Sequence, residues 1–189
     1  REIVSDATHA FSAIAAEKGV RLVVKSEDGS MPVIAHRDEI VQVVENLVSN
    51  ALKYSRDNGQ ITLIFGLATS MADARVKAGQ AWAGCERMTL LPASGRPGTQ
   101  ERAVWMRVED QGRGIEREHL PRLGERFYRA DQSRGGKITG TGLGLAIVKH
   151  IMAHHRGGFA VETRIGEGTS FGVWLPAARE EGLTEQVSG

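Results

Sequence analysis

A chain of 189 residues is long enough for one domain with a real hydrophobic core. Its 41% hydrophobic and 25% charged residues exclude a disordered chain, and a formal net charge of +1 excludes a broad electrostatic footprint for nucleic acid or for an acidic partner. The single cysteine, Cys85, excludes an internal disulfide and suits a reducing compartment, and no uncharged stretch reaches the length of a membrane span or reads as a signal peptide.

Residues 1–18 carry apolar side chains at Ile3, Val4, Ala7, Phe11, Ile14 and Ala15, a helical period that stops at Gly19. Val20, Leu22 and Val24 alternate with Arg21, Val23 and Lys25 as a strand. The turn-like stretch Glu27-Asp28-Gly29-Ser30 then leads to a short apolar run, Val33-Ile34-Ala35. From Asp38 to Tyr54 the set Ile40, Val41, Val44, Leu47, Val48, Ala51 and Leu52 recurs at helical steps, which predicts a long amphipathic helix. Asp57-Asn58-Gly59 is a turn, and Ile61, Leu63 and Phe65 alternate as a strand.

Residues 67–101 show no clear period beyond a short helix within 71–83. A patternless segment of that length is unusual in a compact domain and is expected to be an insertion. Strand character returns at Val104, Met106 and Val108. Residues 111–141, rich in Gly and Arg, read as a mobile segment, and 143–155 as a helix with Leu145, Ile147, Val148, Ile151 and Met152 inward. Phe159-Val161-Thr163 and Thr169-Phe171-Val173-Leu175 alternate as two strands around Gly166-Glu167-Gly168, and the polar tail after Pro176 reads as frayed. The order predicts an α/β (α+β) two-layer sandwich, a mostly antiparallel mixed sheet of about five strands with three helices on one face.

Four short patterns carry chemistry. Asn46 and Asn50 lie one turn apart, so both amides share a helix face; they are either surface amides or partners for a cation and its phosphate ligands. Asp110-Gln111-Gly112-Arg113-Gly114-Ile115 follows a strand; it is either an ordinary Asp–Gly turn or a carboxylate placed to accept from a nucleobase amine. Gly140-Thr141-Gly142-Leu143-Gly144-Leu145 opens a helix, where free N–H groups can cradle phosphate. It matches neither the dinucleotide fingerprint nor a Walker A loop. Glu125-Arg126-Phe127-Tyr128-Arg129 is either a solvated helix end or a docked loop aiming guanidinium groups at phosphate.

In this order the patterns resemble the histidine-kinase branch of the superfamily that includes gyrase, Hsp90 and MutL, over residues 20–176 apart from 67–101. Residues 46–54 resemble its N box, 110–115 its G1 box, 125–129 its F box, 140–144 its G2 box, and 166–171 its last glycine box. Glu125–Arg129 and Gly144-Leu145-Ala146-Ile147-Val148-Lys149-His150 are most similar to sensor kinases of the phosphate-response type. The resemblance implies a Bergerat-type fold and Mg·ATP as ligand. By it, Asn50 holds Mg2+ between the phosphates, Asn46 supports them, and Lys53 reaches them. Asp110 accepts from the adenine amino group with Thr169 close by, Tyr54 lies against the base, and Gly112, Gly114 and Ile115 shape the pocket. Residues 116–139 form an ATP lid with Arg129 near the γ-phosphate, and Gly140, Thr141, Gly142, Leu143 and Gly144 receive the phosphate tail.

The superfamily's ATPases place a water-activating glutamate four residues before the metal-binding asparagine. Here that position is Asn46, an amide without basicity, and Glu45 lies about 100° around the helix. Transfer to an acceptor is therefore expected rather than hydrolysis. The family's phosphoacceptor motif is absent: His9 reads as an ordinary helix residue, and His150, His154 and His155 as structural. Gly124 replaces a bulky apolar residue usual in the family.

The expected function is transfer of the γ-phosphate to a histidine on a separate helical dimerisation domain of the same parent, a homodimer that signals through that domain to a response regulator and binds no nucleic acid. Residues 1–18 are expected to end that helical domain or link to it, 19–178 to form the catalytic domain with 67–101 inserted, and 179–189 to be a flexible tail. A cytoplasmic location is expected, with the parent anchored in the bacterial inner membrane by a segment outside this chain, which begins at Arg1 rather than Met and so reads as a fragment. The alternatives are a nucleotide-binding sensor module without catalysis, a protein-serine kinase of the anti-sigma-factor type, and a chaperone- or repair-type ATPase, the last disfavoured by Asn46.

Overall fold

A computed structural model describes residues 2–27, 33, 35–94, 102–130 and 140–178. Segments with a period of two become strands, and those with a period near 3.6 become helices. The helices are α1 (Glu2–Ala10), α2 (Ser12–Glu17), α3 (Arg37–Tyr54), α4 (Met71–Ala78) and α5 (Gly144–His154). The strands are β1 (Arg21–Ser26), β2 (Gln60–Ala68), β3 (Glu86–Leu91), β4 (Ala103–Glu109), β5 (Gly158–Arg164) and β6 (Gly168–Pro176). They form one six-stranded sheet in the order β1-β2-β4-β6-β5-β3. Only the β1–β2 pair is parallel, so the expected mixed, mostly antiparallel sheet is found with one strand more than expected.

Helix α3 forms because its apolar residues fall on one face, and Asp38 and Glu39 in the first turn with Lys53 in the last complement its dipole. It buries Val43, Val44, Leu47, Val48 and Leu52, each contributing roughly 1.5–3 kcal/mol of apolar transfer free energy. Val148, Ile151 and Met152 of α5 and Met106, Val108, Phe171, Val173 and Leu175 of the sheet complete this core.

The segment 1–18, expected as one helix, breaks at Phe11 into α1 and α2. The Ser12 hydroxyl donates to the His9 carbonyl at 2.7 Å, a local bond that competes with helix continuation. The pair still packs on the domain: α1 buries Val4 and Ala7 in the main core, and Arg37 of α3 pairs with Asp6 at 2.8 Å.

Residues 67–94 are not patternless in three dimensions. Ser70 caps α4 by accepting from Asp73 N–H at 3.1 Å, and the Asp73 carboxylate accepts from Thr69 N–H at 2.9 Å. Ala74 and Ala78 of α4 pack with Trp105, Ala160 and Trp174 on the sheet face opposite α3 and α5. Strand β3 then pairs with β5 at the sheet edge. The helices expected on one face are thus joined by a small one on the other. Residues 95–101 and 179–189, the rest of the expected insertion and the expected tail, lie outside the described residues.

Glu162 of β5 ties this addition down. It is 1% exposed, accepts from Ala81 N–H at 2.8 Å and pairs with Arg87, which also donates to the Gly79 carbonyl at 2.8 Å. Glu162→Ala strands the Ala81 donor and is expected to cost roughly 1–3 kcal/mol, read as a lower melting temperature. An unchanged melting curve would remove the pair from the forces holding the edge.

Candidate functional site

The C-terminal half of α3, the ends of β4 and β6, and the start of α5 enclose a cleft of about 420 Å3. Of the fifteen residues singled out in the sequence, all but Gly112 and Leu143 line it.

The floor is Asp110, 3% exposed, at the end of β4. Its Oδ1 accepts from Gly112 N–H at 2.8 Å and from Thr169 N–H at 3.2 Å. Gly112 thus stands behind the cleft and orients the carboxylate, and it bridges to Ser55 just after α3. Burial pushes the Asp110 carboxyl up to about 7, against the opposing pull of the Gly112 and Thr169 N–H groups. Both oriented bonds go to one oxygen, which leaves Oδ2 for a donor entering the cleft.

A second threonine, Thr163, supports the floor from behind. Its hydroxyl accepts from Ile115 N–H at 2.8 Å, donates to the Gly168 carbonyl at 3.1 Å and lies 3.4 Å from the Thr169 hydroxyl. In the sequence Thr163 is one more strand residue. Only the β5–β6 register, which sets it opposite Thr169, marks it as part of the site.

One wall is α3. The Asn46 amide donates to the Gln42 carbonyl at 2.8 Å, and its Oδ1 lies 2.9 Å from the point where a Gly144 Cβ would project. Asn50 lines the same wall one turn on, and Lys53 Nζ stands 3.3 Å from the corresponding point on Gly140. Tyr54 is half-buried with the Arg113 guanidinium 6.0 Å from its ring centre. Glu45 does not line the cleft.

The opposite wall is the start of α5. Leu143 at its cap has no side-chain acceptor for the first-turn N–H groups, and Gly144 and Leu145 line the cleft there. An uncapped helix start facing a cavity favours an anion.

Between floor and helix runs the segment after Gly114. Tyr128 is anchored by His119 Nδ1 at 2.7 Å from its hydroxyl and by the Arg122 guanidinium 4.1 Å over its ring. Phe127, by contrast, is 67% exposed, so of the two aromatics expected to dock this loop only Tyr128 does so. Arg129 donates to the Gly140 carbonyl at 3.0 Å, tying the expected lid to the residue that follows it; residues 131–139 of the lid lie outside the described residues.

Gly142 makes that junction possible. At φ +72 its carbonyl accepts from Phe127 N–H at 3.1 Å, and a Cβ would lie 2.7 Å from the Phe127 backbone. Gly142→Ala is expected to push the loop off the helix start and weaken nucleotide affinity, while the melting temperature falls little because Gly142 is outside the core. Unaltered affinity would show that the junction does not shape the cleft.

The family model described as histidine kinase-, DNA gyrase B-, and HSP90-like ATPase matches residues 35–179. The phosphate regulon sensor protein PhoR of Pseudomonas aeruginosa is 35% identical over 133 residues, which are 70% of this chain and 23% of that protein. The chain therefore spans under a quarter of the length of this relative. Among solved structures, the nucleotide-free catalytic domain of histidine kinase ThkA superposes with a TM-score of 0.65 at 21% identity, covering 93% of this chain and 90% of that one. Full-length ShkA in complex with AMPPNP gives 0.66 at 22% identity, covering 94% and 30%. These likenesses show the fold. No helix among the described residues is long and apolar enough to cross a membrane.

Proposed function

Because this chain belongs to the histidine kinase-, DNA gyrase B- and HSP90-like ATPase family, we propose that its cleft binds Mg·ATP and presents the γ-phosphate to a histidine on a separate helical domain of the parent protein. The carrying observation is Asp110: a buried carboxylate with one oxygen oriented by two N–H groups and the other open to the cleft, across from a helix start that favours anions. A donor at one end and an anion site at the other suit a nucleobase amine and a phosphate tail.

On this reading Asp110 Oδ2 accepts from the adenine amino group and Tyr54 lies against the base. Gly114 and Ile115 form the adjoining wall, with Gly112 and Thr169 holding Asp110 in place. The α5 N–H groups and Gly140–Gly144 receive the phosphates, and Lys53 neutralises charge on them. Arg129 already stands beside Gly140 and moves to the γ-phosphate when nucleotide enters.

The paired amide oxygens of Asn46 and Asn50 suit a hard cation that takes oxygen ligands, and Asn50 is its ligand. When bound, Mg2+ supplies charge neutralisation on the transferring phosphoryl group. The chain's own part is positioning, since Asn46 cannot take a proton from water and Glu45 is not in the cleft.

The relative's name as a sensor protein supports a sensor parent, and we infer a homodimer anchored in the bacterial inner membrane that passes phosphate through its helical domain to a response regulator. Residues 1–18 are that domain's end or the linker from it, and 19–178 the catalytic unit. Single-turnover transfer from γ-labelled ATP to an added acceptor domain tests the proposal. Acid-labile label on the acceptor is expected. Acid-stable label would point to a serine kinase, and nucleotide binding without transfer would point to a sensor module.

A further inference from the structure

Three of the six histidines meet at the end of the α3–α5 pair remote from the cleft. His36 precedes α3 and Glu39 lies in its first turn, while His154 ends α5 and His155 follows it. Glu39 Oε2 lies 3.1 Å from His154 Nδ1 and 3.5 Å from His155 Nδ1. One ligand atom from each of Glu39, His154 and His155 falls within 4.8 Å of the others. The three imidazole centres are 5.2, 5.8 and 6.0 Å apart. Imidazoles sharing one tetrahedral Zn2+ stand about 5 Å apart centre to centre, given Zn–N bonds of about 2.0–2.1 Å. The His154–His155 pair stands at that spacing, and His36, stacked on His154 with the ring planes 13° apart, turns its ring to reach the same ion.

We propose that Glu39, His154 and His155, with His36 as the fourth ligand, bind a divalent transition-metal ion of the Zn2+ class at the far end of α3 and α5.

The donor set selects the ion. Three imidazoles and one carboxylate suit Zn2+ and its neighbours, whereas Mg2+ takes oxygen ligands and belongs in the cleft. The ligands come from two helix ends that the main core already holds together, so only side chains have to move. In the metal-free chain His155 accepts from His36 N–H at 3.1 Å and donates to the Ile151 carbonyl at 2.9 Å, two bonds that ligation replaces. On metal binding through Nδ1 it gives up the Ile151 bond, and the exposed His36 amide passes to water. His36 and His154 are exposed, so the ion reaches the site from solvent. Neither α3 nor α5 uses these residues to build the nucleotide cleft. The site is therefore independent of the proposed phosphate transfer.

Titration of the whole chain with Zn2+ in chelator-free buffer, with Co2+ as an optical reporter of the ligand field, tests the site. One equivalent of Zn2+ is expected to bind, to raise the melting temperature, and to stay bound under saturating Mg·ATP. His154→Ala and His36→Ala are surface changes expected to leave the metal-free melting temperature in place, and each should weaken Zn2+ binding by at least about tenfold. Equal affinity in either variant and the unaltered chain, absence of saturable binding, or displacement of Zn2+ by Mg2+ would overturn the proposal.

Discussion

Asn50→Ala is expected to reduce phosphate transfer to an added acceptor domain by roughly 100- to 1,000-fold, the loss typical when one preorganised charge-stabilising group is removed. Asn50 occupies the α3 wall of the cleft, one turn after Asn46 and facing the uncapped start of α5. Its neighbours on the buried side, Leu47, Val48 and Ala51, pack without it, so the truncation leaves the core intact. The melting temperature of the nucleotide-free chain should therefore hardly move. Mg2+ dependence of nucleotide binding is the sharper readout. The unaltered chain should bind ATP more tightly with Mg2+ than without it, and the variant should lose that difference. Retained transfer would sink the assignment of Asn50 to the cation, and retained Mg2+ dependence alone would move the cation elsewhere in the cleft.

Asp110→Asn has the second large effect. An amide in place of the carboxylate loses a charged acceptor for the base amine and brings a donor into a site that already has two N–H groups. Losing one hydrogen bond to a charged group is worth about 1.5–3 kcal/mol, so ATP affinity should fall roughly 10- to 100-fold. The buried carboxyl titrates near 7, and this gives the reading a pH signature. A donor from the nucleotide favours the ionised form, so binding near neutrality should release protons, and affinity should weaken as pH falls below about 7. Calorimetry in buffers of different ionisation heat measures that release, and the Asn variant should show less of it.

The same shift has the opposite sign for stability. A carboxyl raised from 3.8 to about 7 favours the ligand-free fold fully below its unfolded value, and that contribution is lost as pH rises through about 7. The ligand-free chain should melt higher near pH 5 than near pH 8 on this group's account, and Asp110→Asn should narrow the gap. An unchanged gap would mean that Asp110 is ionised without nucleotide. The floor of the cleft is thus expected to be less stable when ready to bind than when protonated.

Most of the cleft is legible in the sequence because its parts are short and local. Two asparagines one turn apart share a helix face by helical geometry alone, and a glycine-rich stretch before an amphipathic run marks a helix start. Thr163 was not legible, since its place beside Thr169 depends on strand register. Nor was the difference between Phe127 and Tyr128, because only packing against His119 and Arg122 selects the tyrosine. His154 and His155 read as structural in the sequence, and with 115 residues between Glu39 and His154 no local spacing marks their meeting.

Helices α3 and α5, the alternating strands β2, β4, β5 and β6, the mostly antiparallel sheet and the order of the glycine and asparagine motifs are all readable from the residues in line. Each rests on a period of two or 3.6 residues, or on a turn, within a few residues of chain. That residues 67–94 put a helix on the second sheet face and a sixth strand at its edge emerges from long-range packing alone. That packing uses alanines against tryptophans and a buried Glu162 reaching Arg87 75 positions away, none of which leaves a local period. The acidity of Asp110 is likewise set by the folded chain, because a carboxyl's pKa follows its burial and the donors around it.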